Sequence, residues 1–121
     1  MKVKALHWLG TRTTEHDATA AFFRDVLGLP VEHAEHHFTV LRVRDGATVE
    51  VFGPESEFNA HLTHPVAGFL VEDLDAATAE LEAAGAEIVL PRQGDEERGW
   101  VHFRAPDGFV YELTQESAPG G

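Results

Sequence analysis

Apolar and polar positions change period several times along the chain, and each change marks an element. Ala5–Thr13 reads as a strand that ends in alternating small and β-branched residues. Thr14, Glu15 and Asp17 follow, the residue types that cap a helix and place acids in its first turn. Ala18, Ala21, Phe22 and Val26 then fall on one helical face. Leu27-Gly28 ends that helix with a residue free to turn left-handed, and Pro30 blocks continuation. Phe38–Val43 and Ala47–Phe52 are strands joined at Asp45-Gly46, a strong hairpin signal.

The same order then returns. Val66–Val71 is an apolar strand, and Asp73 or Asp75 caps a helix whose Leu74, Ala77, Leu81 and Ala84 recur at helical spacing. Gly85 ends it. Glu87–Leu90 is a short strand, Gln93–Gly99 a polar loop, and Trp100–Arg104 pairs with Phe109–Thr114 around Pro106-Asp107-Gly108. The helix-ending glycines, Gly28 and Gly85, stand 57 positions apart, which reads as a repeated βαβββ unit. The expectation is one α+β domain over residues 1–121. Module one covers about 1–53, a linker 54–65, module two about 66–115, and a tail 116–121 that frays from Ser117 to Gly121.

Composition narrows the function classes. A length of 121 residues supports one core. No apolar run approaches the roughly 20 residues of a membrane span, and the N-terminus lacks a secretory apolar core. No membrane partner and a cytoplasmic location are therefore expected. Without cysteine there is no disulfide, thiolate ligand or thiol nucleophile. A formal charge of −12 makes nucleic acid a poor partner and favours cationic small molecules, although it also simply keeps a protein soluble.

Three stretches carry a resemblance. AAFFRDVLGL (Ala20–Leu29), FLVEDLDAATAELEAAGAEI (Phe69–Ile88) and FRAPDGFVYEL (Phe103–Leu113) resemble the first helix, the second strand and helix, and the final hairpin of the vicinal oxygen chelate superfamily. That superfamily contains glyoxalases, extradiol dioxygenases and bleomycin-resistance proteins. Ala105 departs from its pattern by replacing an aspartate. The resemblance covers roughly residues 5–115 and implies two βαβββ modules whose mixed sheet curls around a cavity, with the helices outside.

Strand alternation then assigns facing. Ala67, Phe69, Val71, Tyr111 and Leu113 should meet the second helix, and Val49 and Val51 the first. Trp8, Gly10, Arg12, Thr48, Glu50, Phe52, Val66, Gly68, Leu70, Trp100, His102, Arg104, Val110, Glu112 and Thr114 then face the cavity. Glu50 and Glu112 stand in apolar strands, where a carboxylate costs several kcal/mol unless it is paired or ligated. They are the candidate catalytic residues. Trp8, Arg12, Phe52, Leu70, Trp100, His102 and Arg104 are the candidate ligand contacts.

Metal-dependent members hold a divalent ion, such as nickel, manganese, iron or zinc, with His, Glu, His and Glu. Transferred by position, Glu50 and Glu112 are kept, but Trp8 and Val66 stand where histidines belong. His7 is one residue early and points to the opposite face. His64 is two residues early, about 6–7 Å along the strand. The favoured expectation is therefore no cofactor, with Glu50 and Glu112 paired to Arg12 or Arg104. The alternative is a metal held by both glutamates with His7, His64 or His102. His33, His36 and His37 read as an exposed edge, and His16 as a surface residue.

Three functions follow from the resemblance. The first is a metal-free small-molecule-binding protein like the bleomycin-resistance branch. The second is a metal-dependent lyase, isomerase or extradiol-type dioxygenase. The third is a metal-free enzyme with a glutamate base and Arg12 or His102 as electrophile. A homodimer is expected from the same resemblance.

Overall fold

The computed structural model describes residues 1–116, so the tail expected at Ser117–Gly121 lies outside the described residues. Ten elements follow in order: β1 (Val3–Arg12), α1 (His16–Asp25), β2 (Val31–Glu35), β3 (Phe38–Arg42), β4 (Thr48–Phe52), β5 (Val66–Val71), α2 (Leu74–Ala83), β6 (Glu87–Gly94), β7 (Gly99–Arg104) and β8 (Val110–Gln115). The βαβββ order therefore occurs twice, in an α+β chain of mixed strands. The described residues form two compact units, Trp8–Val66 and a second made of Met1–His7 with the chain from Ala67 onward.

In the Trp8–Val66 unit the strands run β2-β3-β4-β1, with β1 parallel to β4 and the other neighbours antiparallel. Leu41, Val49 and Val51 form the buried core against Phe23, Leu29 and Val43. One face of the strands thus meets α1. The other face carries Trp8, Gly10 and Arg12 on β1, in register with Thr48, Glu50 and Phe52 on β4. Alternation predicted that division.

The rotation of α1 was not predicted. Phe22 and Val26, expected on its apolar face, are 52% and 66% exposed. Phe23 packs inward instead. His16, expected at the surface, is buried, and its Nε2 hydrogen-bonds Thr39 Oγ1 on β3 at 3.0 Å while Nδ1 meets Asp17 Oδ1 at 2.8 Å. This buried polar contact sets which side of the helix faces the strands. The expected side-chain cap also differs. Glu15 occupies the cap position without capping, and the Thr13 hydroxyl accepts from the Glu15 amide at 3.0 Å.

In the second unit the strands run β5-β8-β7-β6, with β5 parallel to β8. Val71, Leu74, Ala77, Val101 and Leu113 form its buried core, flanked by Phe69, Leu81 and Phe103. Asp73 caps α2 by accepting from the Ala76 amide at 3.0 Å, which decides between the two aspartates. Strand β6 runs four residues past its expected end at Leu90, to Gly94. Register shifts between Ile88 and Leu90 and between Leu90 and Gln93 accommodate Pro91, as an outer strand allows because that proline owes no ladder hydrogen bond.

Candidate ligand-binding site

On the helix-free face of the Trp8–Val66 unit, the Trp8 indole is buried and its Nε1 donates to Glu50 Oε2 at 2.7 Å. The ring lies flat along its own strand over Gly10. A Cβ at position 10 would fall 1.9 Å from the indole Cη2, so only glycine leaves room for this pose. Burial pushes the Glu50 carboxyl above its ordinary value, while the Trp8 hydrogen bond and the Arg42 charge pull it back and Glu32 adds to the rise. Glu50 is thus a carboxyl that resists ionisation and accepts from an indole.

The arginines do not take the expected role. Arg12 donates to three backbone carbonyls in the 54–65 linker, those of Pro54 at 2.9 Å, Ser56 at 3.0 Å and Phe58 at 3.4 Å. Arg104 is exposed and binds Glu87 Oε2 at 2.8 Å and the Gly108 carbonyl at 2.8 Å. The cation that bears on Glu50 is Arg42, itself held by Glu32 at 2.6 Å and by the Gly46 carbonyl at 2.6 Å. The expected pairing of the glutamates with Arg12 or Arg104 is therefore corrected. An arginine satisfied by carbonyls, or by an exposed glutamate, is not drawn to a half-buried carboxyl.

The same face carries an aromatic row that the sequence did not reveal. Phe52 is buried and stacks on Phe38 at 5.2 Å between ring centroids, at 18° between planes. Phe38 meets Phe58 from the linker at 5.1 Å and 59°. Phe58 belongs to a stretch with no apolar period, so no pattern announced it.

In the second unit, Glu112 pairs with His102 across β7 and β8, with Nε2 and Oε1 3.2 Å apart. His102 is fully buried and Glu112 nearly so. Trp100 lies on the same face of β7, opposite Thr114, and is half-buried, as is Leu70 on β5. A fully buried imidazole thus faces a nearly buried carboxyl at hydrogen-bond distance.

The expected metal ligands fit a metal poorly around Glu50. Its partner is an indole N–H, which donates and cannot ligate. The Nε2 of His7 is out of solvent, 3.0 Å from Glu116 Oε2 but off the line of a hydrogen bond. His64 turns its Nδ1 to the Pro65 carbonyl at 2.9 Å. Among the described residues, three potential ligands do converge elsewhere, at His36, His37 and Glu55. There the Glu55 amide donates to His37 Nδ1 at 2.9 Å, which leaves the proton of the neutral ring on Nε2. A cation at that nitrogen requires the hydrogen bond to be given up. His36 Nε2 instead contacts the Glu55 carboxylate directly, and that contact holds the Glu55 carboxyl below its ordinary value.

Comparison with known proteins agrees with this architecture. The chain matches the Glyoxalase/Bleomycin resistance protein/Dioxygenase superfamily over residues 5–113. Among solved structures it is similar to methylmalonyl-CoA epimerase from Mycobacterium tuberculosis, at 21% identity and a TM-score of 0.73, covering 97% of this chain and 91% of that one. It is also similar to the Streptomyces coelicolor methylmalonyl-CoA epimerase in complex with 2-nitronate-propionyl-CoA, at 20% identity and a TM-score of 0.71, covering 97% and 100%. A hypothetical protein from Bacillus halodurans matches at 15% identity and a TM-score of 0.71, covering 94% and 95%. No functionally curated protein matches the sequence. The family match spans nearly the whole chain, and this chain belongs to the Glyoxalase/Bleomycin resistance protein/Dioxygenase superfamily.

Proposed function

We propose that this protein binds a small organic ligand on the Trp8–Glu50 face without a metal. The observation that carries the reading is the indole hydrogen bond to Glu50, which fills with a donor the place where metal-dependent members put an imidazole ligand. The aromatic row of Phe52, Phe38 and Phe58 supplies flat apolar contact. Glu50 supplies an acceptor for a ligand N–H or ammonium, and the charge of −12 favours cationic ligands. The protein acts in the cytoplasm as a homodimer in this reading. No helix is long and apolar enough to cross a membrane. The test is tryptophan emission during titration with a ligand panel, using Trp8→Phe and Trp100→Phe to assign the signal. Loss of the response in Trp8→Phe supports the reading, and an unchanged response in both variants sinks it. Sedimentation over a concentration series tests the dimer, which a monomer at micromolar concentration refutes.

A second reading has a specific observation behind it. A carboxyl raised by burial is poised to take a proton from carbon, and two of the similar structures are epimerases of methylmalonyl-CoA. Deuterium wash-in at the α-carbon of methylmalonyl-CoA, lost in Glu50→Gln, would make the site catalytic. No wash-in leaves the binding reading.

A further inference from the structure

The segment between β4 and β5 is tied down far more than a connection requires. Arg12, on the same strand face as Trp8 and Gly10, donates to three of its carbonyls, at positions 54, 56 and 58. Ser56 is buried and its hydroxyl accepts from the Phe58 amide at 3.2 Å. Further along, Leu62 is buried, and Asn59 adopts a left-handed φ of 52° with its carbonyl accepting from the Leu62 amide at 3.0 Å. All this polar anchoring holds in place a phenylalanine that is still 53% exposed.

A single exposed apolar side chain needs no explanation. Phe58 differs because its backbone is fixed on both sides and its ring extends a row. Phe52 is buried, Phe38 is half-buried, and Phe58 opens to solvent, in one continuous contact. The row starts beside Glu50, since Phe52 and Glu50 share a face two residues apart on β4. A ring held at the open end of such a row offers solvent one flat apolar surface at little entropic cost, which is how a recognition aromatic is built.

Resting on the binding reading above, we propose that Phe58 determines ligand specificity, selecting molecules that carry a planar aromatic group together with an ammonium or N–H donor. Arg12 is a positioning residue that presents the ring by clamping its backbone. The planar group stacks against Phe58, and the donor is directed to the acidic face that holds Glu50.

Isothermal titration of the full chain with naphthylmethylammonium and with cyclohexylmethylammonium tests this. Both probes carry one ammonium on a methylene; the naphthyl group is planar and aromatic, and the smaller cyclohexyl ring is neither. The wild type is expected to favour the naphthyl probe. Phe58→Ala should weaken naphthyl binding by about tenfold and leave the cyclohexyl probe within about twofold, with melting confirming the fold. Phe58→Tyr should restore the preference, because it keeps the ring. Arg12→Gln should lose the preference although Phe58 is present. If Phe58→Ala leaves the naphthyl probe unaffected while Trp8→Phe weakens it, the inference falls and the binding reading stands. Equal weakening of both probes refutes the specificity role. If neither probe binds the wild type, the inference and the class of ligand it names fall together.

Discussion

Gly10→Ala is the sharpest test of how the Trp8–Glu50 pair is built. The added methyl would sit 1.9 Å from the indole Cη2 and 2.3 Å from Cζ2, both on a ring that is itself buried. No backbone relaxation of a few tenths of an ångström relieves that overlap, so the indole must leave. Leaving breaks the 2.7 Å bond from Nε1 to Glu50. Loss of a hydrogen bond to a carboxyl costs about 1–3 kcal/mol, and displacing a packed ring costs about 1–3 kcal/mol. Replacing a strand glycine otherwise returns about 0.5–1 kcal/mol. The net expectation is a loss of about 1–5 kcal/mol, centred near about 3 kcal/mol, on the order of 10 °C in Tm for a chain of this size. Urea unfolding of wild type and Gly10→Ala measures it directly. In a Trp8→Leu background the clash has no partner, so the same alanine should be neutral or mildly stabilising. A Gly10→Ala cost that is small in the wild type, or equal in both backgrounds, refutes the geometry.

Two further perturbations probe the buried carboxyls. Because burial raises the Glu50 carboxyl, the folded state holds its proton more tightly than the unfolded chain does. The stability this group confers is present below the ordinary carboxylate value and is lost as pH rises through the raised one. Glu50→Gln keeps an acceptor for Trp8, so it should be more stable than wild type at neutral pH, with the gap closing as pH falls through the raised value and gone below the ordinary value of about 4.5. Melting curves across pH check this, and a wild type that gains on the variant as pH rises contradicts it. Glu112→Ala removes the carboxyl that faces the fully buried His102 and should cost about 3 kcal/mol or more in urea unfolding, whereas His102→Leu with Glu112→Leu should lie within about 1 kcal/mol of wild type. A double variant as damaged as the single one would show that the pair stabilises the fold outright.

Strand alternation carried most of what the sequence revealed. The placement of Trp8, Glu50, Phe52, His102 and Glu112 opposite the helix-packed Val49, Val51 and Leu113 follows from a period of two and from knowing which residues are apolar. Partners were less legible. Arg12 was a reasonable mate for a buried glutamate on charge alone, but three carbonyls of a folded linker compete for it, and backbone geometry leaves no mark in composition. Helix rotation failed for a related reason. Ala18, Ala21, Phe22 and Val26 make an apolar stripe, yet the buried bond between His16 and Thr39 turns another side inward. Phe58 was invisible because its neighbours Glu57 and Asn59 break any periodicity, and its role depends on contacts across 20 residues of sequence, to Phe38.

The central claim is that the Trp8–Glu50 face recognises an organic ligand and not a divalent ion. Elemental analysis of protein purified without chelator, followed by melting with added nickel, manganese, iron or zinc, tests that most directly. No stoichiometric ion and no rise in Tm are expected. One ion per chain, lost together with its stabilisation in Glu50→Gln, would contradict that claim.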